Sequence, residues 1–115
     1  MFNYCTSLTQ APALPATTLA DDCYRSMFSE CSSLTQAPEL PATTLASNCY
    51  FGMFDGCSKI DHIIWKSKTI PSSTYCTNWL NGASASGTFE YIDPELDASS
   101  ISRDASGVPA GWAIQ

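Results

Sequence analysis

Six cysteines stand in a chain of 115 residues. Cys5, Cys31 and Cys57 recur at a spacing of 26, as do Cys23 and Cys49, and Cys76 follows one residue late. Three chemistries suit such a set. Neighbouring thiols can oxidise to disulfides, thiolates can hold zinc, or small reduced side chains can fill tight buried positions. Zinc is poorly served, because there is no CxxC pair and the one histidine is His62. Recurrence at a fixed spacing favours buried rows of packing thiols, with disulfides between neighbouring units as the open alternative.

Other residues invite chemistry more weakly. Asp93, Glu95, Asp97 and Asp104 place oxygen ligands as a calcium loop would, but Ala98 and Asp104 stand where that loop wants glycine and glutamate. A solvated acidic loop is the simpler reading. His62 has no identifiable nucleophile or second base, so general acid–base catalysis is not supported. Asp21, Asp22 and Glu30 fall on an outward face, which suits the converging carboxylates of a glycan hydrolase poorly. Tyr4, Tyr24 and Tyr50 could form a sugar-stacking row, though Tyr24 and Tyr50 flank an apolar stripe and read better as core margin. The most coherent polar set is Thr9 and Gln10, Thr35 and Gln36, and Asp61 and His62. These stack in register over three units as a candidate partner-binding strand face.

The elements that position these residues come from repetition. Residues 1–26 and 27–52 are identical at 18 of 26 positions, and a third, degenerate unit covers 53–82. A period of this length signals an array of stacked units. Leu19, Ala20, Cys23, Tyr24, Met27, Phe28 and Cys31 follow the spacing of one buried helical stripe, while the positions that differ between copies collect on the other side. The pattern predicts helices over 18–30 and 44–56. Thr17 or Thr18 would cap the first, with Asp21 in a capping-box-like position. Leu34-Thr35-Gln36-Ala37, fenced by serines and Pro38, reads as a short strand. In the third unit, Ser72-Ser73-Thr74 would cap a helix through Leu80 that ends at Asn81-Gly82. Residues 87–92 alternate as a strand, and 83–115 read as a C-terminal cap. The predicted fold is an α/β solenoid with parallel strands on one face and helices on the other.

The pattern MFxxCxSLTQAPxLPATTLAxxCY resembles the BspA-type leucine-rich repeats of surface proteins from Bacteroides-like bacteria. The resemblance covers residues 1–60 most strongly. Cys76 to Gly82, Gly87 to Phe89 and Gly107 to Trp112 are similar to the closing segment of such arrays. It implies a short right-handed leucine-rich-repeat array, secretion or surface display, and binding or adhesion. The chain departs from the general pattern in using Met27-Phe28 where many repeats place an alanine–aromatic pair. It also keeps few strand leucines, Leu8 and Leu34, with Ile60 in register.

Bulk composition narrows the partners. The net charge is −6, which argues against nucleic acid or an anionic membrane surface. No apolar run approaches the length of a membrane span. Met1 is itself a repeat position, in register with Met27 and Met53, so a missing signal segment is expected to reflect truncation. The chain is read as one 115-residue domain: a non-enzymatic, extracellular or cell-surface module binding protein or glycan, with no cofactor and no metal. Spacer repeats displaying another domain are the alternative. An uncapped N-terminal end is expected to support a homodimer.

Overall fold

In the duplicated segments, alternate backbone N–H groups bond sideways into the next copy. The computed structural model describes residues 5–115; Met1 and Tyr4 lie outside them. The N–H groups of Cys23, Arg25, Met27, Ser29 and Cys31 each donate to the carbonyl three residues back. Those of Asp22, Tyr24, Ser26, Phe28 and Glu30 donate to the carbonyls of Ser47, Cys49, Phe51, Met53 and Asp55 in the second copy. The second copy repeats the arrangement: Asn48, Tyr50, Gly52, Phe54 and Gly56 donate to Thr74, Tyr75, Thr77, Trp79 and Asn81.

This pattern overturns the helices expected over 18–30 and 44–56. Residues 21–30 and 47–56 are chained turns. Every fourth residue is left-handed: Asp22, Ser26 and Glu30 have φ of 59°, 53° and 62°, and Asn48, Gly52 and Gly56 occupy the matching places at 57°, 58° and 80°. A left-handed residue after each turn cancels the right-handed curl of the one before. The chain therefore runs forward as a corrugated ribbon instead of winding about an axis. The third helix also shrinks. Only Ser73–Cys76 (α1) is helical; Ser72 precedes it in an extended conformation without a side-chain cap bond, and turns with left-handed Asn78 and Gly82 follow.

The α/β solenoid, and with it the leucine-rich-repeat array of strands and helices, is thus corrected. Among the described residues there are three regular strands, β1 (His62–Trp65), β2 (Gly87–Tyr91) and β3 (Trp112–Ile114), all parallel in one sheet of order β1-β2-β3. β1 pairs with β2 from His62↔Thr88 to Trp65↔Tyr91. The strands expected in the first two copies reduce to isolated bridges, Gln10↔Gln36, Thr18↔Thr44 and Leu40↔Trp65. Pro12 and Pro38 are part of the reason, because proline has no N–H to give a ladder. In the third copy Ile64 stands in that place and a continuous strand forms.

Side chains stack between copies as the backbone does. The rings of Phe28 and Phe54 lie 5.8 Å apart and nearly parallel, and those of Tyr24 and Tyr50 lie 6.2 Å apart. Trp79 then meets Tyr50, Phe54 and Trp65 at 6.2, 6.2 and 5.4 Å. Phe28, Phe54, Trp79 and Phe89 are completely buried, and each side chain of this size contributes about 1.5–3 kcal/mol by leaving water. Residues 101–115 close over this core. Trp79 Nε1 donates to the Gly107 carbonyl at 2.8 Å, and Trp112 Nε1 to that of Ser84 at 2.8 Å.

Candidate functional site

The polar strand face opens into a groove where the ladder between copies is interrupted. Thr35 donates through both its N–H and its hydroxyl to the Thr9 carbonyl, each at 3.2 Å, and Gln10 bridges Gln36. The first two copies are therefore closed against each other here. Between the second copy and β1, the backbone bonds are made at Leu40: its N–H donates to Ile64 at 3.0 Å, and its carbonyl accepts from Lys66 at 3.2 Å. Among the described residues no backbone bond joins 35–39 to β1. The two segments diverge, leaving a groove of ≈ 400 Å³ lined by Thr35, Gln36, Ala37, Asp61, His62 and Ile64.

Of the six residues singled out from sequence, Thr35, Gln36, Asp61 and His62 meet at this groove. Thr9 and Gln10 are exposed one unit away and pair with two of its wall residues. Half-buried Ala37 and Ile64 supply the apolar part of the wall. His62 Nε2 lies 3.2 Å from Glu90 Oε1, so β2 orients the imidazole. The Asp61 carbonyl accepts from Thr88 N–H at 2.9 Å. Gly87 is required there: a Cβ on it would stand 2.4 Å from that oxygen. At the far end of the divergence, Lys66 Nζ and Glu39 Oε2 pair at 3.1 Å. That exposed pair is worth at most about 1 kcal/mol.

Glu90, Ala37 and Ile64 were not anticipated from sequence. The signal for Glu90 was present, since adding the repeat spacing to His62 and Ile64 gives Thr88 and Glu90, their observed partners in register. The register thus runs on into a segment where the residue types no longer repeat.

The other candidate chemistries disperse. Asp93 Oδ1 accepts from Glu95 N–H, Asp97 from the N–H of Ser99 and the hydroxyls of Ser99 and Ser100, and Asp104 from the N–H groups of Ser106 and Gly107. These carboxylates brace local turns, and the two serine hydroxyls lower the Asp97 pKa. Asp21 Oδ1 accepts from Ser47 N–H at 3.2 Å, Asp22 pairs with Arg25 at 3.5 Å, and the Glu30 carboxylate lies over Gly56. Among the described residues no three His, Cys, Asp or Glu groups cluster as a metal site would require.

All six cysteines are free; Cys5 and Cys23 are exposed, and the other four are buried. Burial raises the pKa values of Cys31, Cys49 and Cys76, and pushes that of Cys57 up to about 12. The Cys57 thiol also donates to the Phe28 carbonyl at 2.9 Å. Tyr50, stacked under Tyr24, is buried and its pKa is raised by desolvation. Tyr4, the remaining member of that row, lies outside the described residues. No protein-family model, curated protein or solved structure matches the chain.

Proposed function

We propose that this chain is a non-enzymatic binding module that holds a protein or glycan partner in the groove between the second copy and β1. The observation that carries this reading is the interrupted ladder itself: a groove open on a polar face, walled by hydroxyl, amide, carboxylate and imidazole groups over two half-buried apolar side chains. Such a mixture suits a hydrogen-bonding partner laid across the units. Thr9 and Gln10 extend the same surface by one unit. Extracellular or cell-surface placement is supported by the resemblance of MFxxCxSLTQAP to BspA-type surface proteins. Among the described residues no helix is long and apolar enough to cross a membrane, and the acidic balance is unfavourable for nucleic acid.

A spacer that displays another domain is the second reading, favoured by the near-identity of the first two copies. Screening the chain against arrays of glycans and matrix proteins separates the two. Binding that falls tenfold or more in both Gln36→Ala and His62→Ala is expected for the module. No binding above background leaves the spacer.

A further inference from the structure

The chained turns give each copy two chemically different edges, and over residues 22–25 the outer edge of the first copy presents carbonyls while every backbone N–H is already used. In the second copy the carbonyls of Thr44, Ser47, Cys49 and Phe51 accept from Leu19, Asp22, Tyr24 and Ser26. The matching carbonyls of the first copy are those of Thr18, Asp21, Cys23 and Arg25, and among the described residues none receives a backbone donor. The N–H groups of Asp22 and Tyr24 point to the second copy and those of Cys23 and Arg25 bond within the first. Nearer the start of the ribbon the contact between copies is mixed, with Thr43 and Thr44 N–H donating to the Thr17 carbonyl and Ser47 N–H to Asp21 Oδ1. The side chains around this edge are uncovered as well. Ala16 and Cys23 are exposed, whereas their counterparts Ala42 and Cys49 are 1% and 0% exposed.

From this we infer that residues 22–25, with the Asp21 carbonyl at their head, form a docking edge of acceptors, and that its partner is a polypeptide unit of the same four-residue winding presenting a row of backbone N–H donors. Two simpler partners fail on donor–acceptor matching. A second copy related by a two-fold axis would set carbonyls against carbonyls. An ordinary β-strand presents N–H and C=O groups along the same edge, so its own carbonyls would meet no donor. Nor does this chain offer its opposite end. Asn78 N–H is held by Ser106 Oγ at 3.1 Å, and Leu80 N–H by the Ala105 carbonyl at 3.2 Å. The interface between copies one and two is the working example of the contact, with Cys49 over Cys23 and Tyr50 over Tyr24. The inference rests on this edge alone and is independent of the groove.

The test fuses one further copy of residues 27–52 directly ahead of Met1 in the full chain. The rate of Cys23 alkylation is then read by mass spectrometry, with unreactive Cys49 as the internal sign that the rest is folded. Tethering supplies a high effective concentration, so the ordering entropy of a free peptide does not mask the contact. Docking is expected to slow Cys23 alkylation at least tenfold. A scrambled extension, or the added unit carrying Tyr50→Pro, which removes the N–H aimed at the Cys23 carbonyl, is expected to leave it at the native rate. A change under twofold with the authentic unit overturns the inference. So does equal protection by the scrambled or proline-bearing unit, or protection that rises with concentration of the native chain alone.

Discussion

The two ends of the stack are built from the same ribbon and finished differently. At the C-terminal end the donors of the third unit are taken up by Ser106 and Ala105, and Arg103 Nη2 reaches the carbonyls of Pro109, Ala110 and Trp112. Asp104 holds the turn that presents Gly107 to Trp79. At the other end the carbonyls of Thr18, Asp21, Cys23 and Arg25 receive no backbone donor among the described residues, and Cys23 is exposed. Identical residues therefore have different worth in the two copies. Tyr50 is 1% exposed and meets two tryptophans, whereas Tyr24 is half-buried and, among the described residues, stacks on Tyr50 alone. Stability in such a stack comes from neighbours on both sides, not from the residue type.

That difference can be broken most severely at Trp79. Trp79→Ala is expected to lose about 3–5 kcal/mol in denaturant unfolding, because it removes a buried ring and orphans the Gly107 carbonyl. Tyr50→Ala should cost about 3 kcal/mol and Tyr24→Ala about 1 kcal/mol. Equal losses for the two tyrosines would refute the contrast between copies. At the sealed end, Gly107→Ala would place a Cβ 2.1 Å from the Ser102 carbonyl, and a loss of about 2–3 kcal/mol is expected.

The thiols sharpen the comparison further. Cys5 and Cys23 should alkylate in the native chain, and the four buried thiols only on unfolding. Burial raises the folded-state pKa of Cys57 from the ordinary 9.0 to about 12. Below pH 9 its thiol is protonated in both states and the contribution to stability is intact. Between pH 9 and about 12 the unfolded chain ionises first and binds fewer protons, so stability falls as pH rises. Midpoints of chemical unfolding taken from pH 8 to 11 should decline, and a Cys57→Ala chain should decline less steeply. The smallest expected effect is at Ser26. Ser26→Gly relieves a left-handed residue where the second copy already has Gly52, and should add about 0.5–1 kcal/mol. An unchanged or lower midpoint would show that the first copy bears no such strain.

Much of the stacking was legible, and the winding was not. Thr35 over Thr9 and Gln36 over Gln10 follow from repetition, because copies translated by one period put like residues against like. The groove lies beyond that logic. It arises because Pro38 cannot donate while Ile64, its counterpart, belongs to a continuous strand. The helices failed for a subtler reason. Turns of four residues and helical turns of about 3.6 differ by only about 40° per turn, so Leu19, Cys23, Met27 and Cys31 fit both. The discriminating signal was the recurrence of Asn48, Gly52 and Gly56, then Asn78 and Gly82, at intervals of four. These are the residue types that tolerate a left-handed backbone.

By itself, then, the sequence determined which residues stand beside which, since a repeated segment can satisfy one translation for all its side chains at once. Only the tertiary structure decided where the backbone N–H groups point. A lone copy could bond along its own axis as a helix. A copy with a neighbour can bond sideways, and the carbonyls of Ser47, Cys49, Phe51, Met53 and Asp55 are the partners that make the flat winding the stable one.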